Sequence, residues 1–196
     1  MREDLPNHGV HKLSFYPSKN KLGRRDADEF KAEALRFKQY ISPVFIETIP
    51  IDNTESEKNQ QGQVLKTLYH WQNTGDFDVA FFCHGYKKRI QFGFRGPAGA
   101  QLLARALLEG KRNPDLTFRV IFYCCSVAKD EDNWFNWFCD ELERHDANYW
   151  AVGHSTPGHT TKNPYVKYRG RSESYTGSAH VVRPKCPIWR NWSNAL

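Results

Sequence analysis

Two runs of mostly aromatic and β-branched residues stand out from the mixed polar and apolar pattern of the rest of the chain. Phe77-Asp-Val-Ala-Phe-Phe-Cys-His-Gly85 and Thr117-Phe-Arg-Val-Ile-Phe-Tyr-Cys-Cys-Ser126 are each rich in aromatic and β-branched residues. Each is long enough for one strand buried on both faces. Val10–Tyr16, Val44–Ile51 and Asn148–Gly153 read as further strands.

Between the strands the apolar residues recur every three or four positions, the spacing of one helix face. Ala27, Phe30, Ala34, Phe37 and Ile41 mark a first helix, with Asp26 as its N-cap. Pro43 stops it, because a residue before proline avoids the helical region. Val64, Leu65, Leu68 and Tyr69 mark a second helix, broken at Thr74-Gly75-Asp76. A third spans about Gly99–Leu108 and ends at Gly110. The fourth carries Phe135, Phe138, Cys139 and Leu142, with Asp130 or Asp132 as its cap. Tyr86–Phe94 has the alternation of a short hairpin, and Asp52–Asn59 reads as a polar, mobile or cleavable loop.

Strands alternating with helices predict an α/β domain: a mostly parallel sheet with helices on both faces. The alternation stops at Gly153, and Pro157–Val182 reads as loops and hairpins. A single domain over residues 1–182 is expected, followed by an irregular aromatic tail at 183–196.

Composition narrows the class. A 196-residue chain that is 39% apolar and 26% charged can bury a core, so general disorder is excluded. No apolar run approaches membrane-spanning length, and no signal-peptide pattern opens the chain. The formal charge of +6 is a mild excess, read as scattered solvated Lys and Arg, so a nucleic-acid partner is not expected. Five irregularly spaced cysteines fit no zinc ribbon, and free thiols predict a reducing, cytoplasmic location.

The chemistry gathers where the two apolar runs stop. Ligands of open α/β sheets bind outside the carboxyl ends of the strands, and those ends carry His84-Gly85 and Cys124-Cys125-Ser126. A thiol is a nucleophile only as thiolate, which a nearby imidazole favours. The start of the fourth helix, a few residues after Cys125, is expected to direct its dipole at the same sulfur. Gly85 has no side chain, so its amide, with that of Cys125, is a candidate oxyanion donor. Burial in the core is the plain alternative for such cysteines.

These motifs resemble the caspase-like superfamily of cysteine peptidases: caspases, metacaspases and their bacterial relatives. Phe81-Phe82-Cys83-His84-Gly85 is similar to the family's apolar run into His-Gly. Tyr123-Cys124-Cys125-Ser126 is similar to the metacaspase Asp-Cys-Cys-His-Ser-Gly. His154-Ser155-Thr156-Pro157-Gly158 and Gly177-Ser178 resemble parts of the loop that builds the caspase substrate groove. The resemblance runs from about Val10 to Val182 and implies a minimal member of the family with a caspase-like sheet. It implies a hydrolase, a thiol endopeptidase with Cys125 as nucleophile and His84 as base; Cys124 is the fallback nucleophile. It implies His154 and Ser155 as substrate-binding residues. Arg169 or Arg171 could pair with an acidic P1 residue. Tyr123 stands where metacaspases carry Asp, and the caspase Gln-Ala-Cys-Arg-Gly is absent, so neither family's P1 preference carries over.

A protein or peptide substrate is expected, with an activating partner or a homodimer as further partners, and neither cofactor nor metal. Three rival readings compete. Gly153-His154-Ser155 resembles the α/β-hydrolase Gly-x-Ser-x-Gly, although Pro157 occupies the fifth position. His84, His154 and His159 with a cysteine could hold a metal. A non-catalytic α/β module binding an anion, a nucleotide or a protein is the alternative from another class, with Lys87-Lys88-Arg89 as a basic cluster.

Overall fold

The computed structural model describes residues 11–39, 45–71, 77–110, 115–157, 165–172 and 175–182. Ile41, Pro43, the break at Thr74-Gly75-Asp76, Gly158, His159 and the 183–196 tail lie outside the described residues, as do Val10 and Val44.

The chain is α/β. Strands β1 (His11–Pro17), β2 (Phe45–Ile51), β3 (Phe77–Phe82), β7 (Phe118–Tyr123), β8 (Tyr149–His154), β9 (Tyr165–Ser172) and β10 (Tyr175–Val182) form one sheet in the order β10-β9-β8-β7-β3-β1-β2. β2, β1, β3, β7 and β8 are parallel, and β9 and β10 add an antiparallel hairpin on one edge. The Pro157–Val182 segment, expected as loops and hairpins, forms an antiparallel hairpin of two eight-residue strands between Tyr165 and Val182. Its Gly and Tyr content hid them from a count of β-branched residues. A second, three-stranded sheet, β4 (Gly85–Tyr86), β5 (Arg89–Ile90) and β6 (Phe94–Arg95), rises from the end of β3 where a single hairpin was expected.

Helices cover both faces. α1 (Asp26–Gln39) packs Phe30 and Ala34 against Ala80, Phe82, Ile121 and Tyr123 on one face. α2 (Glu57–His70), α3 (Gly96–Glu109) and α4 (Trp134–Arg144) cover the other, where Leu13, Phe15, Val79, Phe81, Val120 and Phe122 point. The period-two pleat divides the two sets. The α4 face of Phe135, Phe138, Cys139 and Leu142 is fully buried, as its spacing requires.

Three helix starts differ from expectation. Asn20 Oδ1 accepts the amides of Ala27 and Asp28 at 3.0 and 3.3 Å, so Asn20 caps α1 and leaves the Asp26 carboxylate available. Asn133 Oδ1 accepts the Asn136 amide at 2.8 Å, so Asn133 caps α4 and not Asp130 or Asp132. α2 begins earlier than its apolar period suggested, because Ser56 supplies an N-cap to the Asn59 amide. The 52–56 stretch is a turn pinned on both sides: Asn53 exchanges two hydrogen bonds with the Lys19 backbone, and Asp52 accepts from the Thr54 amide.

The pairing of β3 with β7 matters most for the site. Phe77 stacks on Phe118 at 5.5 Å, Phe81 on Phe122 at 5.4 Å and Phe82 on Tyr123 at 4.7 Å, all between residues paired in the ladder. Such aromatic pairs add roughly 0.5–1.5 kcal/mol each beyond their buried area. A slip of one residue would break all three and would send each side chain to the wrong face. The aromatic run that made these strands visible in the sequence therefore also holds their ends level.

Candidate active site

Past Phe82 and Tyr123 the two strands stay together for one more rung. The Cys83 amide donates to the Tyr123 carbonyl at 3.4 Å, and the Cys83 and Cys124 sulfurs lie 3.3 Å apart, both fully buried. One residue further, the chains reach His84 and Cys125. The pleat sends Cys83 and Cys124 into the core beneath α2–α4 and turns the next pair away from it.

The two cysteines are thereby separated in environment. Cys124 has no exposed surface; burial, with Cys83 alongside, pushes its thiol well above the usual range, and Sγ lies 3.5 Å from the Phe81 carbonyl. A thiol held in that state is a packing group. Cys125 is half-buried and lies in the turn that follows β7. Ser126, immediately after it, has φ of 55°, the left-handed geometry that reverses the chain.

His84 is held from the α1 side. Its Nε2 is 2.9 Å from Asp26 Oδ2, and the Phe30 ring meets the imidazole edge-on at 5.2 Å. An ionised carboxylate can only accept, so Nε2 carries the proton and Nδ1 is the basic nitrogen. The sequence position of Asp26 suggests a helix cap; a contact across 58 residues leaves no periodic signal. The absence of a capping bond from Asp26 is visible only once Asn20 is seen doing that work.

Gly85 sits against the cysteine turn. A Cβ at this position would lie 2.6 Å from Cys124 Cβ and 2.6 Å from the Cys125 carbonyl oxygen, closer than any side chain tolerates. The Gln91 amide donates to the His84 carbonyl, which makes Gly85 and Ile90 a pair that exchanges no ladder hydrogen bonds. The Gly85 N–H is thus not used by β5. Gly85→Ala is expected to displace the two strand ends and to destabilise the fold by about 1–3 kcal/mol, a loss that urea unfolding would measure.

Cross-links tie the hairpin after His84 to the turn after Cys125. Lys87 pairs with Asp130 at 3.1 Å, Lys88 with Asp132 at 3.3 Å, and the Trp134 amide donates to the Lys87 carbonyl at 2.8 Å. Arg89 lies 3.8 Å from Glu57. The cluster Lys87-Lys88-Arg89 is therefore engaged by local carboxylates and offers no continuous basic patch.

Other expected features fall elsewhere. α4 starts nine residues after Cys125, and its first amides donate to Lys87 O, Val127 O and Asn133 Oδ1, so its N-terminus is occupied by protein groups and not by the sulfur. The 154–156 segment runs beside the turn that holds Cys125: Ser126 N donates to Thr156 O at 3.1 Å and Ala128 N to His154 O at 3.0 Å. His154 and Ser155 are nonetheless buried, His154 completely and beside the Tyr123 ring. Their backbone, not their side chains, borders the site.

Arg169 and Arg171 do not reach it. Arg169 pairs with Glu143 and Asp140 of α4, both at 2.6 Å. Arg171 pairs with Asp146 at 2.6 Å and lies level with Tyr149, at the opposite end of β8 from His154. The Arg169 cluster is a brace: Tyr149 donates to Glu143 at 2.6 Å, and burial pushes the adjoining Cys139 thiol up to about 12.

The rivals fare as follows. The nucleophile-elbow reading needs a helix after Ser155, but the next described element is the antiparallel strand β9. Among the described residues no three His, Cys, Asp or Glu side chains gather in a metal-holding group. No helix among them is long and apolar enough to cross a membrane. No protein-family model matches the chain, and no curated protein matches it.

Proposed function

We propose that this protein is a cysteine endopeptidase of caspase-like architecture, with Cys125 as nucleophile and His84 as base. One observation carries the reading: His84 and Cys125 follow directly on neighbouring, in-register parallel strands, with the imidazole's far nitrogen held by Asp26. Support for the caspase-like sheet comes from five parallel strands extended by an antiparallel hairpin, with both residues at the carboxyl ends of the two central ones.

The roles follow from the chemistry. Nδ1 of His84 takes the thiol proton from Cys125, and the thiolate attacks the peptide carbonyl. The same imidazole then protonates the departing amine. Asp26 keeps the required tautomer and stabilises the imidazolium that forms. The Gly85 amide donates to the developing oxyanion. Water completes the cycle by hydrolysing the thioester, with His84 again as base. The carboxylate is what distinguishes this arrangement from a core cysteine that happens to lie near a histidine.

Alkylation by iodoacetamide near neutral pH tests the pair. Cys125 is expected to react as an activated thiol, and His84→Ala to slow that reaction. Asp26→Asn is expected to lower peptide cleavage by roughly 10²-fold and to shift the pH dependence of alkylation. A purely structural Asp26 would leave that pH dependence where it was. Alkylation of Cys125 at the rate of a small-molecule thiol, unaffected by His84→Ala, would favour the non-catalytic binding module.

A further inference from the structure

A cavity of about 130 Å³ opens beside His84, and no residue of α1 lines it. It is bounded by the loops after β1 and β2, by the start of α2 and by β5; Lys21, Asn53, Glu57, His84, Arg89 and Gln91 are among its lining residues. Its polar groups are unevenly matched. Glu57, its carboxylate, is already gripped by both nitrogens of the Arg95 fork, whose hydrogen bonds hold its carboxyl below the usual carboxylate range. Arg89 stands 3.8 Å from the same carboxylate and stacks over Tyr86 at 4.5 Å. Lys21 makes no ion pair among the described residues and sits exposed at the rim.

The amides add to the same bias. Asn53 spends its carbonyl and its NH₂ on the Lys19 backbone. Gln91 accepts the His84 amide through Oε1 at 3.1 Å, which leaves its NH₂ as a donor. Next to the imidazole, then, the cavity offers the Lys21 ammonium, the Gln91 NH₂ and a guanidinium that Arg89 shares loosely with Glu57 at 3.8 Å, while that one carboxylate is held closely by Arg95. Three donors with a positive surplus match a carboxylate.

We propose that this cavity is a specificity pocket for a carboxylate on the leaving-group side of the scissile bond, so that the protein cleaves ahead of acidic residues. The inference rests on the peptidase reading of the same site. The direction follows from the mechanism: sulfur attacks from the Cys125 side, and His84 hands its proton to the departing amine. The chain beyond that amine continues past the imidazole, where the cavity lies. The carboxylate could belong to a Glu or Asp side chain or to a free C-terminus, and the two are separable by experiment.

The test uses the full-length protein and peptides that vary only on the leaving-group side, with Glu, Gln or Lys, each made with an amidated and a free C-terminus. Wild type is expected to cut Glu peptides about tenfold faster than Gln peptides, the effect of one hydrogen bond to a charged group. Lys21→Glu is expected to reverse the order in favour of Lys, whereas Lys66→Glu, the same charge change on the exposed face of α2, should keep the wild-type order. A gain confined to peptides with a free C-terminus would assign the pocket to the terminal carboxylate and overturn the side-chain preference. Cleavage with equal rates for Glu, Gln and Lys, or an order that Lys21→Glu does not change, would overturn the pocket and leave the peptidase standing. Cleavage of none of the peptides by wild type, with Cys125 inert to iodoacetamide, would remove the peptidase reading and the pocket with it.

Discussion

On the proposed peptidase reading, Cys125→Ala is expected to lower peptide cleavage by about 10⁴-fold or more, because removing the proposed nucleophile removes the covalent route and leaves only binding and oxyanion stabilisation. Cys124→Ala should behave differently. Cys124 is fully buried and lies 3.3 Å from the Cys83 sulfur, so its loss opens a small hole in the core. The expected result is a stability loss of about 1–2 kcal/mol with cleavage still measurable. Assaying the two variants side by side on one fluorogenic peptide, with thermal melts of each, separates the roles. Full activity in Cys125→Ala together with none in Cys124→Ala would shift the nucleophile by one residue. That outcome would require a thiol without solvent contact to ionise, against the burial that raises it. Two adjacent cysteines are thus assigned opposite duties by the pleat: one faces the core, the other follows into the turn.

The second large effect lies at the opposite end of the sheet. Asp78 of β3 and Arg119 of β7 face each other in the ladder and form an ion pair with both side chains almost wholly buried. In water two such charges would be worth little to each other. In the interior, removing one leaves the other charged and undissolved. Asp78→Ala is therefore expected to cost about 3–5 kcal/mol, read as a lower urea midpoint. The double variant Asp78→Leu with Arg119→Met should recover much of that loss, since well-packed apolar replacements of a buried pair are often near neutral. A single substitution costing less than about 1 kcal/mol would mean that water reaches the pair. Because β3 and β7 carry His84 and Cys125 at their other ends, this pair and the aromatic stacks above it are what keep the two site residues level.

How much of this was legible beforehand depends on the range of the interaction. The strands of Phe77–Phe82 and Phe118–Tyr123 were readable because burial on both faces selects a run dominated by aromatic and β-branched side chains. The helix faces of α1 and α4 were readable from a spacing of three and four. The hairpin expected after Pro157 is met by β9 and β10, but their length and their pairing with the sheet were not readable, because Tyr, Gly, Arg and Ser look like a loop until the edge of β8 is there to pair with. The arginines illustrate the same limit. Arg169 and Arg171 carry charge suited to a substrate carboxylate, but Glu143, Asp140 and Asp146 reach them first. No local pattern in a strand tells which acidic residue of a helix will meet it. The basic run Lys87-Lys88-Arg89 was equally open, and Asp130, Asp132 and Glu57 decided it.

By itself the sequence determined the α/β class, the two central strands, and the presence of a histidine and two cysteines where those strands stop. All of these follow from periodicity and from the kinds of side chain that can be buried, which act over a few residues. Only the tertiary structure decided which cysteine keeps contact with solvent, that Asp26 serves the imidazole and not its own helix, and that a cation-rich cavity opens beside His84. Those outcomes turn on groups 41 and 58 residues apart being brought within contact of one another, or on loops from three elements closing around one space. Such meetings are set by how the layers pack, and packing is a property of the whole chain.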